Sequence, residues 1–154
     1  MSFRVLISSL LLAPALLFIS ACTAPTAVTM TPGFEPTSYK AVVIPNPDDR
    51  ITMERFNWLE LPLASCFEGM GYQVVGEKQI DEFSNGELLS IRYTGYGGSV
   101  PRISILIEDA VTGRTLCRVF ASETGWDHAA ACRNTEAELL SQIKRVMSGV
   151  AVTQ

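Results

Sequence analysis

The sequence is poor in histidine, the side chain that most often moves protons in enzymes. A single histidine, His128, stands among 154 residues. A catalytic imidazole would need a nucleophile and an orienting carboxylate, and its sequence neighbour Asp127 is badly placed to orient it. A zinc site would call for further ligands, and no second histidine exists to supply one. Cys-x-x-Cys, Gly-x-Ser-x-Gly and a phosphate-cradling loop with its lysine are all missing, which excludes the usual redox, esterase and nucleotide motifs. Basic charge is scarce too. With 12 Lys and Arg against 16 Asp and Glu, the net charge is −4, so nucleic acid is a poor partner. Hydrophobic residues at 47% and charged ones at 18% fit a globular chain, and exclude collagen, coiled coil and broad disorder. The expectation is a protein that is not an enzyme and holds no cofactor or metal.

Long apolar runs are also absent, with one exception. Val5 to Ile19 is apolar apart from Ser8, Ser9 and Pro14, and it follows a short start carrying Arg4. A bilayer core about 30 Å thick needs roughly 20 apolar residues, so this run is short for a span. Its length and flanks predict a secretory signal peptide over residues 1–21. The close of the run, Ile19-Ser20-Ala21-Cys22, resembles the lipobox of bacterial lipoproteins. That resemblance implies cleavage before Cys22, a diacylglycerol thioether on its sulfur and acylation of the new amine. Several acyl chains anchor a protein stably where one does not. Thr23 stands where an aspartate favours inner-membrane retention in well-studied Gram-negative bacteria, so the resemblance points to the outer membrane, on its periplasmic side.

Residues 22–38 hold Pro25, Pro32 and Pro36, five threonines and one charge, Glu35. No helical or strand period runs through them, which predicts a semi-extended tether. The domain proper is expected over residues 39–154. Ala41 to Ile44 reads as a buried strand closed by Pro45-Asn46-Pro47-Asp48. Phe56, Leu59, Leu63, Phe67 and Met70 mark one helical face within residues 51–70. Pro62 sits inside that face, and either kinks the helix or starts a fresh one in its first turn; the unbroken apolar face favours a kink. Gly69 to Gly71 stops it, and residues 72–75 form the next strand. Asn85-Gly86 turns into a strand over 88–93, followed by a glycine-rich loop from Tyr93 to Ser99. Ile103, Ile105 and Ile107 alternate with polar residues, and Thr112-Gly113 returns the chain into a hairpin strand over 115–121. Thr135 and Glu138 fit a capping box that opens the last helix. The order β-α-β-β-β-β-α predicts an α+β fold: a single mixed, mostly antiparallel sheet of about five strands, with two helices on one face.

The pattern is similar to that of small envelope lipoproteins of unknown function found across proteobacteria. The shared features are Ser38-Tyr39-Lys40 opening a strand, Gly71-Tyr72 after a helix, the strand over residues 88–93 and Asp109-Ala110-Val111-Thr112-Gly113 in a hairpin. Each serves a strand start, a helix stop or a turn. The resemblance therefore implies fold and location and carries no activity.

With Cys22 lipidated, Cys66, Cys117 and Cys132 remain, and an oxidising compartment favours one bridge and one free thiol. Three pairings are open. Cys117–Cys132 is favoured because it ties the last strand to the segment before the final helix, a loop size worth about 3 kcal/mol. Tyr93, Tyr96 and Trp126 are the expected interaction surface, since aromatic side chains serve well at interfaces. The resulting expectation is a lipid-anchored accessory component of an envelope assembly, with the membrane and an envelope protein as partners. The alternative is a periplasmic small-molecule carrier or sensor, which needs an apolar cavity between sheet and helices.

Overall fold

The computed structural model describes residues 26–45, 56–96 and 100–149. Six strands form one open mixed sheet: β1 (Ala27–Met30), β2 (Ala41–Val43), β3 (Gln73–Val75), β4 (Leu88–Tyr96), β5 (Arg102–Asp109) and β6 (Thr115–Ala121). They lie in the order β1-β6-β5-β4-β2-β3. The β4–β5, β5–β6 and β1–β6 pairs are antiparallel, whereas β2 runs parallel to both β3 and β4. Two helices, α1 (Glu60–Gly69) and α2 (His128–Met147), pack on one face, so the expected fold class holds.

Period-two alternation explains which side faces them. Leu89, Ile91, Tyr93 and Gly95 of β4 point inward with Ile103, Ile105 and Ile107 of β5 and with Cys117, Val119 and Ala121 of β6. Leu59, Leu63 and Phe67 from the α1 region meet Leu139, Ile143 and Val146 of α2 over that surface, all fully buried. Burying a side chain of this kind contributes about 1.5–3 kcal/mol, so this layer is the main source of stability. β2 lies between two parallel neighbours and is buried on both faces, because Ile80 and Phe83 cover Ala41, Val43 and Val75 from the opposite side.

Three expectations need correction. The sheet has six strands because Ala27–Met30, expected in the tether, pairs with β6 in the register Ala27↔Phe120 to Met30↔Cys117. Thr31 continues the contact through its amide to the Leu116 carbonyl and its hydroxyl to the Thr115 carbonyl, each 2.8 Å. Phe34 and Pro36 are buried as well. An unpaired β6 edge would present a row of open backbone donors and acceptors, and β1 satisfies them. Only Val28 of β1 is half-buried, so no hydrophobic period announced the strand.

The first helix is not one kinked rod. A 3-10 turn over Asn57–Leu59 leads into α1 at Glu60, and Pro62 occupies its first turn, where its missing N–H has no intrahelical acceptor. Its expected beginning near residue 51 lies outside the described residues.

The last helix starts two turns before Thr135. Asp127 caps it, its Oδ1 accepting from the Ala130 amide at 2.7 Å. Thr135 is buried inside the helix. Its hydroxyl donates to the Ala131 carbonyl at 2.8 Å and accepts from the Glu123 amide at 3.2 Å.

Candidate interaction surface

The three aromatic residues expected at an interface separate. Tyr93 is 4% exposed and points into the core, because β4 runs on to Tyr96 instead of loosening at residue 93. Gly95, the next inward-facing position, has no side chain and so admits the Phe56 ring; a Cβ there would stand 2.6 Å from two ring atoms. A glycine in this strand thus marks a close approach and not a loop. Gly97, Gly98 and Ser99 lie outside the described residues.

Tyr96 and Trp126 are 74% and 87% exposed. They share one end of the sheet. Tyr96 pairs with Arg102 where β4 ends and β5 begins, Ile103 pairs with Ala121 where β6 ends, and the connection carrying Trp126 leaves from there. Ala27 of β1 pairs with Phe120 at the same end.

Cys66, Cys117 and Cys132 are all free thiols, so the expected Cys117–Cys132 bridge is not formed. Geometry accounts for this. The start of α2 is held beside residues 123 and 124 by the Thr135 contact and by Asn134 Nδ2 donating to the Thr124 carbonyl at 2.9 Å. Cys117 lies six residues earlier, roughly 20 Å of extended chain away. A disulfide tolerates at most about 7 Å between Cα atoms. Burial pushes the Cys117 thiol up to about 11 and also raises Cys66 and Cys132, with Lys144 and Arg133 respectively opposing. All three are protonated at neutral pH, which is unsuited to nucleophilic work. His128 opens α2, and its Nε2 lies 3.6 Å from the Sγ of Cys132 one turn along the exposed side of the helix. Cys22 lies outside the described residues, as do residues 1–21. Among the described residues no group of three or more His, Cys, Asp or Glu side chains is arranged to hold a metal ion.

The Tyr-Lys and Asp-x-x-Thr-Gly features meet in one network. Asp109 is 2% exposed. Its Oδ1 accepts from the Thr112 amide at 2.8 Å, the Thr112 hydroxyl at 2.9 Å and the Val111 amide at 3.2 Å. Its Oδ2 accepts from the Gly86 amide at 2.9 Å and the Tyr39 hydroxyl at 3.2 Å. Burial alone would raise the carboxyl pKa, but the donors from Thr112, Gly86 and Tyr39 outweigh it and hold the group below its usual value. Burial, then the Asp109 charge, raises Tyr39. Beside them Lys40 donates to Glu87 at 2.7 Å. The network joins the start of β2, the Gly86 turn and the β5–β6 hairpin, so it positions chain segments.

The space between sheet and helices, where a carrier would need its cavity, is occupied by the buried side chains of the core. Two surface clefts lie elsewhere. One of about 420 Å³ is lined by Tyr39, Met70, Tyr72 and Met147. The other, about 460 Å³, runs between the two helices past Leu61, Cys66, Leu140 and Lys144. Leu61 is 78% exposed, a surface feature that sequence reasoning missed. Its signal was its offset from the Leu59, Leu63 and Phe67 face by two residues.

No protein-family model matches the chain, nor does any curated protein. Solved structures do. The fold is similar to that of the PelC dodecamer from Paraburkholderia phytofirmans, with 14% identity and a TM-score of 0.54 over 81% of this chain and 97% of the other. It is similar to a PDZ domain protein from Parabacteroides distasonis, at 13% identity and a TM-score of 0.56, over 93% of this chain and 40% of that one. The lipoprotein GNA1162 from Neisseria meningitidis shows 16% identity and a TM-score of 0.42, over 73% of this chain and 99% of its own. The first two likenesses, at identities this low, are likenesses of fold, and the third falls below what a shared fold requires.

Proposed function

We propose that the chain is a lipoprotein of the bacterial cell envelope, anchored through Cys22, which acts by binding as an accessory component of an envelope assembly. The observation that carries this reading is the position of Cys22. It closes an apolar leader and stands five residues before Ala27, the first residue of the sheet. At 3.3–3.6 Å per residue the intervening chain reaches at most about 18 Å, so acylation holds the folded domain directly against the membrane. A binding role draws support from the groove between α1 and α2, where Leu61 is exposed on a rigid element. Asp109, the buried carboxylate among the described residues, is fully engaged in holding turns. That a domain of similar fold builds the PelC dodecamer is compatible with a part in an assembly. Thr23 favours the outer membrane, on its periplasmic side.

Replacement of Cys22 by serine tests the anchor. The wild-type chain sediments with outer membranes on a density gradient, and the Cys22→Ser chain moves to the soluble periplasmic fraction or keeps its uncleaved leader. A Cys22→Ser chain that stays in the outer-membrane fraction with the wild-type mass would refute the reading.

A further inference from the structure

We infer that the end of the sheet carrying Trp126 and Tyr96 lies against the lipid bilayer, with both rings in its headgroup region. The inference rests on the anchoring at Cys22 and adds an orientation and a contact surface to it. The register supplies the direction. β1 runs antiparallel to β6, so the chain arriving from Cys22 enters the sheet at Ala27, opposite Phe120 near the end of β6. That end of the sheet also carries the close of β4 at Tyr96 and the connection holding Trp126. The Gly86 and Gly113 turns stand at the opposite end, about 25 Å away along the eight residues of β5. A link that reaches at most about 18 Å brings the Trp126 end to the membrane first.

The chemistry of this end fits a lipid surface. Trp126 and Tyr96 are the two most exposed aromatic side chains described, at 87% and 74%. In water such exposure of indole and phenol rings brings no stabilisation, whereas at a membrane interface their apolar body meets acyl chain and their polar tip stays wet. Arg102 pairs with Tyr96 across the strands and is exposed beside it, placed to meet a lipid phosphate. The second tryptophan, Trp58, is half-buried against Phe56 in the core and offers an internal reference.

The test uses the acylated full chain reconstituted in phosphatidylethanolamine–phosphatidylglycerol vesicles, with lipids brominated at a shallow acyl position as quencher. Brominated lipid is expected to lower the fluorescence difference between wild type and a Trp126→Phe variant at least twofold, leaving Trp58 emission unchanged. Soluble acrylamide should quench Trp126 less in vesicles than in detergent-free solution of the Cys22→Ser chain. Mass spectrometry of the same sample reads the acyl chains. A chain that is acylated while Trp126 stays unquenched by bromine and open to acrylamide overturns the orientation and leaves the anchor standing. A chain without acyl groups overturns both.

Discussion

Replacing Asp109 with alanine lowers the stability of the domain by about 3 kcal/mol, read as a fall in midpoint of roughly 10 °C in thermal unfolding. The carboxylate accepts five hydrogen bonds, from Tyr39, Gly86, Val111 and two groups of Thr112. Bonds to a charged acceptor are worth about 1.5–3 kcal/mol each and are not additive. Leaving their donors without a partner in a site this closed costs more than the bonds are worth singly. Three chain segments lose their common fastening at once, so the loss spreads beyond the hairpin. The pH dependence follows from the sign of the shift. Asp109 has a depressed folded value, so its contribution is present above the unfolded value near 3.8 and is lost as pH falls through the lower folded one. An Asp109→Asn chain, with no charge to titrate there, is expected to show a shallower loss of midpoint between pH 4 and pH 2 than wild type. Equal acid slopes for the two would show that the network does not hold the charged carboxylate.

Gly125→Ala removes about 2–3 kcal/mol by a different route. A Cβ at residue 125 would stand 2.7 Å from the carbonyl carbon of Ala130 and would also meet the Ala131 amide nitrogen. Both belong to the backbone of the first turns of α2, which no rotamer change can move aside. Relief requires shifting the connection, and with it the Asp127 cap and the contacts of Glu123 and Thr124 to Thr135 and Asn134. The control is Gly69→Ala at the end of α1, where a Cβ meets nothing within 4 Å and alanine favours the helix. The urea midpoint should fall for Gly125→Ala and hold or rise for Gly69→Ala. Hydrogen exchange should place the new opening in residues 128–135. Equal midpoints for the two variants would contradict the packing described here.

Where residues carry their own periodicity, the sequence was sufficient. The alternation of Ile103, Ile105 and Ile107 and the turn residues Asn85-Gly86 and Thr112-Gly113 foretold β4, β5 and β6, and the short Val-rich runs foretold β2 and β3. Long-range contacts decided what was missed. β1 exists because the edge of β6 needs a partner, and Ala27–Met30 has too little apolar pattern to declare it. Tyr93 faces inward because β4 keeps its alternation as far as Tyr96, and Gly95 serves a close approach of Phe56, a contact across almost forty residues of chain. Thr135 imitated a cap, but its hydroxyl closes a contact to Glu123 from within the helix, while Asp127 does the capping. The favoured Cys117–Cys132 pair failed for the same kind of reason: Cys117 stands near the start of β6, whereas Cys132 lies in the first turns of α2, which the Thr135 and Asn134 contacts hold beyond the other end of that strand. The Tyr39–Asp109 network shows the reverse case. In the sequence each residue marks a separate local structure, and their meeting 70 positions apart is a property of the sheet order.

Native mass spectrometry of the protein extracted gently from its own envelope tests the central claim most directly. The account predicts a chain beginning at Cys22, heavier than its residues by two or three acyl groups, with a bound envelope protein that separates on activation. A chain that is cleaved elsewhere or carries no lipid, and that is recovered alone, would contradict it.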